Sequence, residues 1–324
     1  MVMAMFRLNY VHPDPTGAEH MSDRYRAGIE LAQFVDDKGF FLVSTEEHHS
    51  SSMGWSPTPL LTAGAILGST KNLMVTISAL LVPLHDPVRL AEDLAVLDLI
   101  SQGRISIVTG LGYRPVEYAL HDKEWKRRGR LLDEALDTMI TAWTGEPFER
   151  NGEMVQVRPM PFTRPHPIVM IGGSGPKAAD RAARRGLPLQ LPGQKPEIEA
   201  LYYEKCKEYG TQGFCIAPEN TVMLHVAEDP DKVWAEHGEC FMFEAMTYKK
   251  WQPEGQTSSV CSNATTVEEL RAEGIYQVLT PDDAVELGRK NGMITLHPLV
   301  GGMPIDQAWS SVQLTTDKVI PALS

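Results

Sequence analysis

Three features of the sequence predict an α/β fold, a (β/α)8 TIM barrel with insertions. Apolar runs are continuous, helices open on a small polar residue followed by proline, and helices close on a glycine just before the next apolar run. A continuous apolar run marks a parallel strand covered on both faces, whereas a strand with one wet face alternates. Parallel neighbours need a crossover, and helical patterns lie where the crossovers belong. An open doubly wound sheet is the rival arrangement, and the strand count leaves it open. At 324 residues one barrel accounts for the chain. The expected organisation is a single domain over 1–324, with insertions at about 144–165 and 236–266.

In order, strands are expected at 5–11, 40–45, 74–81, 104–110, 167–171, 188–191, 220–226 and 294–300. Helix starts are signalled by Ser56-Pro57, Asp86-Pro87, Pro176, Asp229-Pro230 and Thr280-Pro281. A short polar side chain caps free N–H groups, and proline fits the first turn, where its missing N–H costs nothing. Gly39, Gly103, Gly186 and Gly292 each precede an apolar run, as glycines that stop helices do. Amphipathic helices are expected over 88–100 and 130–143. Two stretches break this rhythm. Residues 144–164 carry Gly145, Pro147, Gly152, Pro159 and Pro161 and read as an extended excursion. Residues 236–266, with Trp251-Gln252-Pro253-Glu254-Gly255, read as a long polar loop and hence a lid that excludes water.

A net charge of −12 and a pI near 5.3 argue against nucleic acid or an anionic membrane as main partner. The apolar run at 77–84 is too short to cross a bilayer. Residues 1–10 hold Arg7 inside a short apolar run and show no cleavage-site pattern, so no export signal is expected. The four cysteines form no CxxC pair, which indicates neither a zinc site nor a disulfide scaffold and points to a reduced, cytoplasmic protein.

The chemistry concentrates at strand ends. Ile168 to Ile171 lead into Gly172-Gly173-Ser174-Gly175 and then Pro176. Bared amides at a helix start make an anion site, most often for phosphate. The alternative is an ordinary strand-to-helix turn, which also favours glycine. The second strand ends in Thr45-Glu46-Glu47-His48-His49. Adjacent residues of an extended chain face opposite ways, so one histidine is expected to face a site at the C-terminal ends of the strands. Solvated loop histidines are the alternative. A metal would need further inward ligands, but the other strand ends offer Ser78, Thr109, Gly110 and Gln190, with His225 and His297 as possible partners. No metal site is therefore assigned. No lysine for a Schiff base stands at a proposed strand end. Thr109-Gly110-Leu111-Gly112-Tyr113-Arg114 would suit a flat ring lying against backbone, or a simple turn.

These residues carry a resemblance. Glu47-His48-His49, Pro83 to Arg89 with Ala91-Glu92-Asp93, Asp98 to Arg104, Gly110 to Arg114, Arg127 with Arg130 to Ala135, Ile171 to Ser174, Gly301 to Pro304 and Val319-Ile320-Pro321 occur in the order typical of the bacterial luciferase-like superfamily. The chain resembles that superfamily over nearly its whole length, most thinly from 197 to 280. The resemblance implies a TIM barrel binding reduced FMN, or alternatively the deazaflavin coenzyme F-420, at its C-terminal face. It puts the phosphate on Gly172, Gly173 and Ser174, with Arg127 as a phosphate or tail contact. The ring would lie near Ser78, Ala79 and Thr109, with Tyr113 and Asn9 as possible ring or substrate contacts. A non-proline cis peptide would map to Ser78–Ala79. His48 matches the family's site histidine, a suitable acid/base group near neutral pH. Leu111 stands where the family frequently has arginine, which weakens the preference for FMN over the deazaflavin.

The implied activity is flavin-dependent monooxygenation of a small organic substrate. Reduced flavin would come from a separate reductase, because no GxGxxG follows an early strand. The alternatives are deazaflavin-dependent hydride transfer and a non-catalytic flavin-binding protein. Relatives are commonly dimers, so a homodimer is expected.

Overall fold

The apolar runs become strands at nearly the expected places. The structure, a computed structural model, describes residues 2–218, 222–251 and 260–323. Its strands are β1 (Met3–Leu8), β2 (Phe40–Thr45), β3 (Met74–Leu80), β4 (Ile105–Thr109), β5 (Phe148–Arg150), β6 (Glu153–Val155), β7 (Ile168–Gly172), β8 (Leu189–Gln190), β9 (Cys215–Ile216), β10 (Met223–Val226), β11 (Tyr276–Leu279) and β12 (Met293–Leu296). The helices are α1 (Ala18–Val35), α2 (Pro59–Ser69), α3 (Pro87–Ser101), α4 (Pro115–Leu120), α5 (Arg128–Thr144), α6 (Pro176–Ala183), α7 (Pro196–Tyr209), α8 (Pro230–Trp251), α9 (Val267–Glu273), α10 (Pro281–Asn291), α11 (Ile305–Leu314) and α12 (Ile320–Leu323). A single π-turn, Thr315–Val319, separates the last two. The α/β class is as predicted.

Two compact units divide the chain. The first comprises Met1–Pro57, Ser69–Leu73 and Glu219–Ser324. Its strands pair in parallel in the order β11-β10-β12-β1-β2, with Phe6 of β1 in register with Leu296 and Val43. The second comprises Thr58–Gly68 and Met74–Pro218. Its parallel order is β3-β4-β7-β8-β9, and β5 and β6 form a separate antiparallel hairpin. Helices α3, α6, α8 and α10 start on the prolines that the sequence marked. Around Ser56-Pro57 the helix begins two residues late, at Pro59. At the other end of α10, Gly292 takes φ 68°, a left-handed turn that a side chain would resist.

The structure corrects several expectations. The strand expected at 220–226 begins at Met223, and residues 220–221 lie outside those described. Strand β11 was not expected; its four residues, Tyr276-Gln277-Val278-Leu279, are too few and too mixed to read as an apolar run. Strand β10 pairs with both β11 and β12, so the strands of this unit do not follow chain order. The excursion at 144–164 contains the β5–β6 hairpin and is anchored by buried Asp98, which accepts the Thr163 N–H at 2.6 Å and its hydroxyl at 3.0 Å.

The largest correction concerns the expected lid. Residues 236–251 are the greater part of α8, a helix and not a loop. Its buried Trp234, Gly238, Phe241, Ala245 and Tyr248 fall at spacings of three and four, the period of one helical face. That face packs with Trp55, Tyr276, Val300 and Met303 in the core of the first unit. The close approach is tight enough that a Cβ on Gly301 would lie 1.8 Å from the Cys240 carbonyl oxygen. Residues 252–259 lie outside those described.

Candidate active site

In the first unit, β2 delivers Glu46 to His48 as a buried run at its C-terminal end. His48 is 6% exposed. Its backbone N–H donates to the Ser56 carbonyl at 3.0 Å, which ties the run to the next segment. The imidazole meets the Trp55 ring edge to face at 5.2 Å and the Trp251 ring at 5.2 Å, tilted. Trp55 in turn stands at right angles to Tyr248, 4.6 Å away. His49 pairs through Nε2 with Glu47 at 2.8 Å. The solvated-loop alternative does not hold for the buried His48.

Beneath the aromatic rings lies a buried charged cluster that sequence reasoning missed as a unit. The Arg7 guanidinium donates to both Glu46 oxygens at 2.7 Å, to Glu244 at 3.4 Å and to the Tyr248 hydroxyl. Glu46 also accepts the Trp55 indole N–H at 2.8 Å. Glu244 contacts His297 Nε2 at 2.9 Å and accepts from Asn9 at 2.9 Å and the Tyr276 hydroxyl at 3.3 Å. Burial alone would raise the Glu244 pKa; His297, Arg7 and the Asn9 amide outweigh it and hold the carboxyl at about 2. Burial likewise opposes the Arg7 charge, but Glu46, Tyr248 and Glu244 keep it firmly protonated. The arrangement satisfies the rule that a buried charge is paired and hydrogen-bonded. It fixes Trp55, and through Trp55 the wall against which His48 rests. Asn9 and His297 are therefore members of this cluster. Among the described residues, no group of three potential ligands is arranged for a metal.

In the second unit, the Gly172–Gly175 turn joins β7 to α6 as expected. Gly172 is required by packing: a Cβ there would meet the Thr109 carbonyl oxygen at 2.7 Å and Val108 at 2.9 Å. Gly173 takes φ 154°, whereas Gly175 has open space around it. Ser174 is exposed. The turn is held from behind, because Arg181 of α6 donates to Asp133 of α5 at 2.8 and 3.0 Å and to the Gly129 carbonyl at 3.3 Å. Arg127 lies just before α5, is exposed, and has Glu124 at 3.9 Å.

The ends of β3 and β4 lie in the same unit as this turn. The Ser78–Ala79 peptide is cis, as the resemblance implied. Both residues are half-buried, and a Cβ on Gly110 would lie 2.8 Å from that of Ala79. Thr109 is fully buried, and its hydroxyl lacks a hydrogen-bond partner among the described residues. A buried polar atom without a partner is a rarity that calls for a ligand or a water. Tyr113 is half-buried in the loop that follows, which is pinned by the Tyr118 hydroxyl donating to the Leu111 carbonyl at 2.6 Å.

The family model for luciferase-like monooxygenase matches residues 1–282. This chain belongs to the luciferase-like monooxygenase family. It is 28% identical over 174 residues to the oxygenase component of a flavin-dependent trigonelline monooxygenase from Acinetobacter baylyi, a match covering 52% of this chain and 48%, about half, of that protein. It is 24% identical over 246 residues to the alkanal monooxygenase beta chain of Vibrio harveyi, covering 73% of this chain and 75% of that one. In fold it is similar to the oxygenating constituent of 3,6-diketocamphane monooxygenase from Pseudomonas putida, solved with FMN, at a TM-score of 0.71 and 19% identity over 100% of this chain and 99% of the other. The luciferase-like TIM-barrel class expected from the sequence is that of its structural relatives.

Proposed function

We propose that this chain is the oxygenase of a two-component flavin-dependent monooxygenase, with residues 1–324 acting as one catalytic domain. The observation that carries the reading is the bared turn at Gly172 to Gly175 ahead of α6, beside a strand whose Thr109 hydroxyl is buried without a partner. The residues present fit FMN. Gly172, Gly173, Ser174 and Arg127 would hold the phosphate, and Ser78, Ala79, Thr109 and Tyr113 would line the ring. Reduced FMN supplies, when bound, the electrons that activate dioxygen. The protein's part is to bind and orient the flavin, keep water out, and move a proton. His48 holds that proton on its imidazole, and the two indoles beside it limit the ring's rotation and shut out water.

Titration of the protein with FMN, reduced FMN and F-420, followed by absorbance and fluorescence, tests the cofactor. Binding of reduced FMN, weakened at least tenfold by Ser174→Asp, supports the reading. Tight F-420 binding with no affinity for FMN would replace it with hydride transfer, the alternative that Leu111 favours by standing where the family often carries arginine.

The relative named as an oxygenase component makes a separate reductase the natural partner here too. A homodimer is supported by large apolar side chains left in water on α2 and α3: Leu61 is 73% exposed, Ile100 54% and Val96 41%. A reducing, cytoplasmic setting is supported by four cysteines that are all free. Among the described residues no helix is long and apolar enough to cross a membrane.

A further inference from the structure

A cavity lies within the first unit, and none of its lining residues belongs to the His48 cluster. It has a volume of about 470 Å³ and opens at the end of β10, walled by the first turns of α8 and by α11 with its π-turn. Ligand cavities are typically of this size. π-turns also recur at functional sites, and here Asp317 of the π-turn is part of the wall.

His225, at 1% exposure, lines this cavity. Its Nδ1 has no hydrogen-bond partner among the described residues. The same imidazole stands edge-on to Phe241, 6.3 Å away, in apolar surroundings. Burial, with a smaller push from His237, lowers its pKa to about 4, so the ring is neutral at physiological pH and, in the tautomer that carries its proton on Nε2, Nδ1 has a lone pair to offer. A buried polar atom left unpaired is costly, so a ligand that supplies the missing hydrogen bond gains by it.

The rim is acidic. Glu228, Asp229, Glu236 and Asp317 face Lys232, and Lys318 is spent on Glu228. The helix start offers nothing to an anion, since Asp229 itself accepts the Lys232 N–H at 3.0 Å. A bare metal ion is a poor fit, because no three ligands among the described residues converge. An elongated cation carrying several N–H donors meets both the spread of the carboxylates and the buried acceptor.

We propose that this cavity binds a small organic amine of the polyamine class, with Glu236 and Asp317 holding ammonium groups and His225 Nδ1 accepting an N–H. The site is separate from the flavin reading and stands or falls without it.

Calorimetric titration of the full chain with spermidine tests the proposal, with magnesium chloride as a second arm. Saturable one-to-one binding of spermidine is expected. Its Kd should rise at least tenfold in the E236Q/D317N double variant, and Ser310→Trp, which fills the cavity from an exposed position of α11, should abolish binding. A D282N/E286Q variant, which removes the same charge from exposed positions on α10, should bind as the wild type does. Equal weakening in both double variants would reduce the effect to net charge and overturn the proposal. So would magnesium competing at equal concentration, or binding that survives Ser310→Trp.

Discussion

His48 rests against two indoles, and that neighbourhood decides what its replacement measures. Alanine removes the proposed acid/base group while Trp55 remains held by Glu46 through its indole N–H. His48→Ala should lower kcat by roughly 10²–10⁴ with little change in flavin affinity. Unchanged turnover in single-cycle kinetics would retire the role. Glu244 is a different case, because its contribution is to stability. Its carboxyl has a folded pKa of about 2 against an ordinary 4.5, so the unfolded chain takes up the proton first as the pH falls. The stabilisation is complete above about 4.5 and is lost on the way down to about 2. Glu244→Gln removes the carboxylate that accepts from Asn9 and Tyr276 and contacts His297, and leaves Arg7 with Glu46 as its remaining carboxylate; it should cost about 3–5 kcal/mol at neutral pH, the usual result of breaking a buried pair. The gap between the two proteins in urea midpoints should close as the pH drops through that window; a constant gap would deny the carboxylate its role. His48 was legible because its motif is contiguous. Glu244 was not, since its pairing with Arg7 spans 237 positions and neither residue announces the other.

At the scale of elements, caps and glycines were read well because their reasons are local. Asp86 accepts from the Val88 and Arg89 N–H groups at 3.0 Å each, so Asp86→Ala should destabilise α3 by about 1 kcal/mol in thermal melts. The anion turn allows a sharper comparison. Gly172→Ala places a methyl against the Thr109 carbonyl oxygen and should cost about 1–3 kcal/mol, the usual penalty of overpacking. Gly175→Ala meets nothing within 4 Å and should melt with the wild type. If both variants melted alike, the turn would be free of β4 and its glycines mere turn formers. Helix α8 shows the opposite failure of reading. Its apolar face is periodic, but Glu244 sits on that face and Pro253 and Gly255 follow, so polarity outweighed period. The polar residue belonged to the buried cluster, whose partners lie on β1 and β11 and just past the ends of β2 and β12 and could not be seen from α8 alone.

For the molecule as a whole, the parallel α/β class followed from composition of the strands, since two-sided burial writes itself into continuous apolar runs. Strand order did not follow, because pairing of β10 with β12 is a long-range choice that no local pattern records. The surface raises the last question. A chain carrying −12 repels its own copies, yet Leu61, Val96 and Ile100 stand in water on two helices of one unit. A stable dimer needs about 800 Å² from each partner, and apolar contact must outweigh the charge that opposes it. The proposed dimer should therefore weaken as salt is removed, because the screening length grows from about 8 Å at physiological ionic strength to about 30 Å at 0.01 M. Leu61→Glu with Ile100→Glu should convert the protein to monomer in sedimentation velocity at physiological salt while its circular dichroism stays native. A wild type that sediments as a monomer at every salt concentration, or a variant that remains dimeric, would place the subunit contact elsewhere or remove it.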